Sequence, residues 1–178
     1  VIYDNDAGYG GTDSLQFTDV KLEEAKFRKD GNNFIIYSGK EGDSVTIKDF
    51  FASVSYEIEN FVFADKTVTL EHFRQNGLIF DGTEANDTIT TWNNKSIVNA
   101  GSGDDIITAS NYVDVLDGGA GNDKLYGNHG TDTLIGGTGN DYLEGGRHGD
   151  TYIFAKGHGH DVIYDNDAGY GGTDSLQF

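Results

Sequence analysis

The chain has 178 residues, of which 30 are acidic and 12 are basic, so its formal net charge is −18. This charge disfavours binding to nucleic acid or to an anionic membrane surface, and no apolar run is long enough to span a bilayer. Glycine contributes 26 residues, whereas proline, methionine and cysteine are absent, which excludes disulfides and thiolate metal sites. Such a chain needs something that neutralises its carboxylates before it can fold.

The first 17 residues occur again at the end of the chain. Residues 1–17 and residues 162–178 both read VIYDNDAGYGGTDSLQF. Tandem modules of about 161 residues in a longer parent protein would produce this identity. We therefore expect residues 1–17 to be the tail of a preceding repeat. The sequence leaves open whether this leading copy pairs with the segment that follows it, caps that segment or docks on another chain.

Residues 18–80 predict a small antiparallel β module. Acidic and basic side chains are nearly balanced there, unlike in the acidic remainder of the chain. Alternating apolar and polar residues predict five strands, which read AKFRK, NFIIYS, SVTIK, EIENFVFA and TVTLE. We also expect one helical turn near Phe50 to Ser53. No catalytic signature is present, so we predict that the chain is not an enzyme.

The rest of the chain, residues 81–178, is dominated by nonapeptides. Eight units fill residues 82–153 without a gap, and a ninth begins at Lys156. Position 8 is apolar or aromatic in all eight, and position 6 is aspartate in all but one, where Ser96 replaces it. The position-6 aspartates, including that of the ninth unit, are Asp87, Asp105, Asp114, Asp123, Asp132, Asp141, Asp150 and Asp161.

Each nonapeptide divides into a six-residue turn and a three-residue strand. Glycines at positions 1, 2 and 4 permit positive φ angles, and turn carbonyls and carboxylates are the hard oxygen ligands that Ca²⁺ prefers. Two units form one 18-residue coil of a solenoid whose position-8 side chains point inward. We therefore expect an all-β fold, with a calcium-binding parallel β-roll over residues 81–178 after the antiparallel module.

The 18-residue period places alternate turns on opposite edges of the roll. Three of the four turns on the first edge keep most of the glycines, whereas the first two turns on the second edge have none. On the first edge we expect calcium along Asp105, Asp123 and Asp141, with further sites at Asp87 and Asp161. On the second edge we expect it only near Asp132 and Asp150, and Asp114 is a doubtful site.

Stacking these aspartates without a cation is costly. Coils about 4.8 Å apart place successive carboxylates where they repel each other by about 3 kcal/mol per pair at an effective dielectric constant of about 20. A few such pairs equal the whole stability of a domain, about 5–15 kcal/mol. We therefore expect the roll to fold only when calcium is bound.

The motifs GGAGND and GGTGND and the closing segment DTYIFAKGHGHDVIYD resemble the RTX (repeats-in-toxin) calcium-binding proteins. Residues 18–80 resemble the haemolysin-type calcium-binding related domain, and the alternation of the two parts is most similar to Frp-type iron-regulated RTX proteins. The resemblance implies a parallel β-roll in a protein that type I secretion exports unfolded and that folds in external calcium. It also implies ligands from turn carbonyls, at Gly101, Gly103, Gly118, Gly121, Gly127, Gly136, Gly139 and Gly145.

Three smaller features have competing interpretations. Asp165 and Asp167 could form an additional calcium site, but not an EF-hand, because the required glutamate is replaced by Leu176. His158 and His160 could indicate zinc, although their spacing favours a turn without a metal. We expect Trp92 to pack at the start of the roll.

Together these patterns predict a calcium-binding structural repeat of a large secreted protein, with calcium ions and neighbouring repeats as its partners. One alternative is an adhesin module whose β module or outward strand faces bind a host-surface ligand. Another is the calcium-binding appendage of a secreted enzyme, which the tandem repeat disfavours.

Overall fold

The computed structural model divides the chain into two compact units, residues 1–77 and residues 78–178. Both units consist mainly of strands, which confirms the predicted all-β class; the helices in the described part of the chain are a 3₁₀ turn at Leu22–Glu24 and α1 at Leu70–Asn76. Neither of these is long and apolar enough to cross a membrane. The structure describes residues 1–2, 11–40, 42–52, 57–167 and 171–178.

The first unit contains two three-stranded sheets. Its strands are β1 (Ser14–Gln16), β2 (Lys26–Asp30), β3 (Asn33–Tyr37), β4 (Ser44–Ile47), β5 (Asn60–Val62) and β6 (Thr67–Thr69). Strands β2, β3 and β4 form an antiparallel sheet in that order. In the other sheet β5 lies between β1, to which it is parallel, and β6, to which it is antiparallel.

One local expectation for this unit is wrong, and a second lies partly outside the described residues. The segment TVTLE was expected to be one strand, but the strand ends at Thr69 and α1 begins at Leu70. The reason is helix capping, because the Thr69 side chain accepts a hydrogen bond from the His72 N–H at 3.1 Å. Residues 48–52 form hydrogen-bonded turns and no helix, and Ser53 lies outside the described residues.

A cluster of phenylalanine rings forms the core of the first unit. The Phe34 ring lies 5.6 Å from that of Phe27, 5.0 Å from that of Phe50 and 6.0 Å from that of Phe61, measured between centroids. None of these side chains is more than 6% exposed. Aromatic burial of this kind stabilises a small unit without any bound ion.

The leading copy of the duplicated sequence pairs with the β module, which was one of the three alternatives. Its residues Ser14–Gln16 form β1, and the ring of Phe17 stacks on that of Phe63 with centroids 5.0 Å apart. Ile2 forms an isolated parallel bridge with Ile47. Residues 3–10, including Asp4 and Asp6, lie outside the described residues.

The second unit is a parallel β-solenoid of about five turns. Its strands are β7 (Leu78–Asp81), β8 (Thr88–Thr90), β9 (Ser96–Asn99), β10 (Ile106–Thr108), β11 (Val115–Ala120), β12 (Lys124–His129), β13 (Thr133–Thr138), β14 (Tyr142–Arg147), β15 (Thr151–Ile153), β16 (Val162–Tyr164) and β17 (Ser175–Gln177). The odd-numbered strands of this unit form a six-stranded parallel sheet, and the even-numbered strands form a five-stranded parallel sheet.

The strand register confirms coils of 18 residues in the regular part of the roll. Ile107 lies between Ile89 on one side and Leu125 on the other, each one coil away. The position-8 side chains point inward and none is more than 5% exposed. These residues are Ile89, Val98, Ile107, Leu116, Leu125, Leu134, Leu143 and Tyr152. The core of the roll is therefore thin: most nonapeptides bury one apolar side chain, and two of them also bury an alanine, Ala100 or Ala109.

Candidate metal sites

The position-6 aspartates lie at the ends of the turns and are buried. Those from Asp87 to Asp150 are between 0 and 7% exposed. From Asp105 onward, one carboxylate oxygen accepts the backbone N–H of the position-6 residue in the preceding coil. Asp123 Oδ1, for example, accepts the Asp105 N–H at 2.8 Å, and on the other edge Asp132 Oδ1 accepts the Asp114 N–H at 2.7 Å. These hydrogen bonds link successive coils.

The other carboxylate oxygen, Oδ2, is buried without a hydrogen-bond partner in six of these residues. An isolated buried oxygen of this kind is costly unless a proton or a cation compensates it. No three His, Cys, Asp or Glu side chains of the described residues form a metal-holding group. The six residues are Asp105, Asp123, Asp132, Asp141, Asp150 and Asp161.

Asp87 and Asp114 differ from those six. The Asp87 Oδ2 accepts hydrogen bonds from the N–H and the hydroxyl of Thr83, at 2.6 and 2.7 Å. The Asp114 Oδ2 accepts the corresponding bonds from Ser110, at 3.0 and 2.8 Å. Thr83 and Ser110 occupy position 2, where the consensus has glycine. A position-2 hydroxyl therefore donates a hydrogen bond to each of these two carboxylates. Threonine at position 2 is visible in the sequence, but our expectation of a calcium site at Asp87 did not take it into account.

Glycine at position 1 makes room for the unpartnered oxygen. A Cβ atom on Gly118 would fall on Asp123 Oδ2, and one on Gly136 would fall on Asp141 Oδ2. Gly127 and Gly145 stand in the same relation to Asp132 and Asp150. Four of the eight expected glycines thus lie against four of the expected aspartates.

Glycine at position 4 lets successive turns stack closely. Gly121 and Gly139 have φ angles of +141° and +143°, which L-residues with a side chain rarely adopt. A Cβ atom on either would fall on the backbone of the preceding coil. Gly101 and Gly103, at positions 2 and 4 of their turn, also have positive φ, at +107° and +115°. That the carbonyls of these turns ligate calcium stays a prediction.

Burial raises the pKa values of six position-6 carboxyls, those of Asp105, Asp114, Asp123, Asp132, Asp141 and Asp150. The pKa of Asp132 rises to about 8, chiefly through burial, with further contributions from the charges of Asp114 and Asp150. Burial raises the pKa of Asp123 to about 6 and that of Asp150 to about 6. A raised pKa means that the folded roll destabilises the charged carboxylate. A cation bound beside the carboxylate removes that cost.

The two edges also differ at position 5. On the edge that carries Asp105 and Asp123, each position-5 N–H donates to the position-5 side-chain oxygen of the preceding coil, at 2.8 to 3.1 Å. This ladder runs through Asn86, Asp104, Asn122, Asn140 and His160. Position 5 on the other edge is occupied by Lys95, Val113, Thr131 and Gly149. Asn and Asp recur every 18 residues at the ladder positions. This pattern is visible in the sequence, but we did not predict hydrogen bonds between these side chains and the next coil.

Comparison with protein families agrees with this geometry. The RTX calcium-binding nonapeptide repeat matches in four overlapping copies, at residues 79–107, 99–134, 108–143 and 126–160. These matches together span residues 79–160, which is most of the roll. Residues 33–68 match the haemolysin-type calcium binding protein related domain. No curated protein matches the chain.

The remaining features lie near the two ends of the roll. The His158 ring packs against that of Phe154, with centroids 5.4 Å apart, and the His158 N–H donates to the Ala155 carbonyl in a turn. Asp167 accepts the His148 N–H at 2.7 Å, and His148 replaces a position-4 glycine with φ at +79°. Trp92 is half-buried in the second nonapeptide.

Proposed function

We propose that this chain is a calcium-dependent structural module of a large secreted RTX protein of the toxin or adhesin type, similar to the Frp-type proteins. The observation that carries the proposal is the set of six buried, unpartnered carboxylate oxygens in RTX repeats. In this proposal the work of the module is mechanical, because it extends and stiffens the parent protein once it has folded.

Calcium binds on both edges of the roll in this proposal. On the first edge the ligands are Asp105, Asp123, Asp141 and Asp161, and on the second edge they are Asp132 and Asp150, together with carbonyls of the turns. Asp87 and Asp114 are weaker candidates as calcium ligands, because a hydroxyl already donates a hydrogen bond to the Oδ2 of each. Bound calcium supplies positive charge to carboxylates that burial otherwise destabilises.

The energetics connect these sites to folding outside the cell. A Kd of about 10⁻⁴ M per site is typical of extracellular calcium modules. At about 1 mM calcium each such site adds about 1.4 kcal/mol to the free energy of unfolding, and at cytosolic concentrations it adds almost nothing. Six sites then contribute about 8 kcal/mol, which is comparable with the whole stability of a domain. The roll is thus unfolded during type I secretion and folds in external calcium.

A calcium titration tests this proposal directly. The only tryptophan of the chain, Trp92, lies in the roll, so its fluorescence reports on the roll and not on the β unit. We expect chelator to shift Trp92 emission towards that of exposed tryptophan and to reduce the β signal in circular dichroism. Calcium, but not Mg²⁺, should restore both. Identical spectra with and without chelator would contradict the proposal.

An adhesin role is the second candidate, and a groove in the β unit favours it. The groove has a volume of about 770 Å³ and is lined by residues that include Phe17, Ser38 and Lys40. A glycan array probed with the calcium-loaded chain tests this role. Binding that Lys40→Ala abolishes would support a ligand site in the groove, and no binding above background would leave the structural role alone.

A further inference from the structure

The duplicated 17-residue sequence forms a strand in two different settings. In the leading copy Ser14–Gln16 form β1, which pairs in parallel with β5 of the β unit. In the trailing copy Ser175–Gln177 form β17, which pairs in parallel with β15 of the roll. Each strand lies at the end of its sheet. The same residues can therefore join either kind of unit.

The two settings use different backbone groups. In the leading copy the Asp13 carbonyl accepts the Asn60 N–H at 3.0 Å, and the Phe17 N–H donates to the Val62 carbonyl at 2.7 Å. In the trailing copy the Ser175 N–H donates to the Asp150 carbonyl at 2.8 Å. The Gln177 carbonyl of the same copy accepts the Phe154 N–H at 2.9 Å.

When the two copies are aligned by sequence, the residues whose backbone groups bond in one copy differ from those that bond in the other. Asp13 and Phe17 correspond to Asp174 and Phe178, whereas the trailing copy bonds through Ser175 and Gln177. Successive residues of a strand direct their N–H and C=O groups to opposite edges. The contacts with β5 therefore use one edge of the strand, and the contacts with β15 use the other edge.

The side chains also leave room for a second partner. In the leading copy Phe17 stacks on Phe63 of the β unit. In the trailing copy Leu176 is 48% exposed, and the ring of Phe178, the last residue of the sequence, lies 6.1 Å from that of Phe154. A β unit seated against the outer edge of β17 would cover both with the same contacts that the leading copy makes.

We propose that, in a tandem array, one copy of this segment is a shared strand. It pairs with β15 of its own roll on one edge and with β5 of the next module's β unit on the other. The partner of the roll's end is thus a second copy of the β unit of this chain. The joined sheets transmit force along the array through backbone hydrogen bonds. The inference requires a folded roll, so its test is carried out in saturating calcium.

The test uses amide hydrogen exchange in a two-module chain, in which a second copy of residues 18–178 follows Phe178 directly. In the single chain we expect slow exchange at the amides of Phe17 and Ser175 and fast exchange at those of Ser14 and Phe178. In the shared copy of the two-module chain we expect both the Ser175 and the Phe178 amides to exchange slowly, with at least tenfold protection gained at Phe178.

A slow Ser175 amide with a fast Phe178 amide in the shared copy would overturn the inference and leave calcium-coupled folding intact. Fast exchange of the Ser175 amide in saturating calcium would contradict both the shared strand and calcium-coupled folding of the roll. Phe178→Pro in the shared copy is a matched variant, because proline removes the donor to Val62 without touching Ser175. We expect it to speed exchange at Asn60 of the second module at least tenfold while Ser175 stays slow. Unchanged exchange at Asn60 would also overturn the shared strand.

Discussion

The two units of this chain have small cores that consist of different kinds of side chains. The β unit buries a cluster of phenylalanine rings, whereas the roll buries one or two apolar side chains per nonapeptide together with its aspartates. All buried acidic residues in the described part of the chain lie in the roll. Apolar burial stabilises a fold in any buffer, but a buried carboxylate near neutral pH destabilises it unless a cation or a proton compensates the charge. Calcium should therefore control the roll and not the β unit.

The largest mutational effect on the β unit should come from its central ring. Phe34 is 1% exposed and contacts several other phenylalanine rings. Phe34→Ala removes these contacts and leaves a cavity, which typically costs about 3–5 kcal/mol. We expect the β unit to melt at a lower temperature while the calcium midpoint of Trp92 fluorescence stays unchanged. A shifted midpoint would show that calcium stabilises both units together.

A matched pair of variants tests which aspartates bind calcium. Asp132 and Asp114 lie on the same edge, one coil apart, and each accepts an N–H from the preceding coil. Only Asp132 has an unpartnered Oδ2. We expect Asp132→Asn to lower the number of calcium ions bound at saturation by at least one, whereas Asp114→Asn should leave that number unchanged. Equilibrium dialysis measures both, and equal losses would contradict the distinction.

The raised carboxyl pKa values predict a pH dependence in chelator. A carboxyl whose pKa is higher in the folded state stabilises the fold when protonated, and that stability is lost as pH rises through the folded value. The folded values are about 6 for Asp123 and Asp150 and about 8 for Asp132. Trp92 emission in chelator should therefore show more ordered roll at pH 4 than at pH 8. Calcium should remove this trend, and the opposite trend in chelator would contradict it.

The smallest effect should come from the position-5 ladder. Asn122 donates its N–H to Asp104 and accepts the Asn140 N–H, both near the solvent. Asn122→Ala removes one acceptor from the ladder, which typically costs about 1 kcal/mol. We expect a slightly higher calcium midpoint with the same number of bound ions. Thr131→Ala, at position 5 on the other edge, is the control and should shift the midpoint less.

Much of the roll was predictable because its period is explicit in the sequence. Aspartate at position 6 and an apolar residue at position 8 fixed the 18-residue coil and the two edges, and the structure confirms that coil. The loss of glycine set Asp114 apart in the sequence, and in the structure the Ser110 hydroxyl, at position 2 of the same turn, donates to its Oδ2. The positions that define the repeat in the sequence therefore include the ones that form the candidate sites.

Three features were missed, two of them local and one long-range. The capping of α1 by Thr69 competes with the strand propensity of TVTLE. Thr83 provides the hydroxyl for Asp87 in a turn that otherwise looks like a calcium turn. The pairing of β1 with β5 joins residues more than 40 positions apart, 46 between Ser14 and Asn60. Tertiary contacts therefore decide the strand pairing, whereas the Thr69 and Thr83 contacts are local ones that strand propensity and the glycine pattern concealed.

The most direct measurement is amide hydrogen exchange in the intact chain with and without chelator. Amides of Leu125 and Leu134 report on the roll, and those of Phe34 and Phe61 report on the β unit. Calcium-coupled folding predicts that chelator makes the two leucine amides exchange rapidly while the two phenylalanine amides stay protected. Leucine amides that remain protected in chelator would contradict the central claim that calcium holds the roll together.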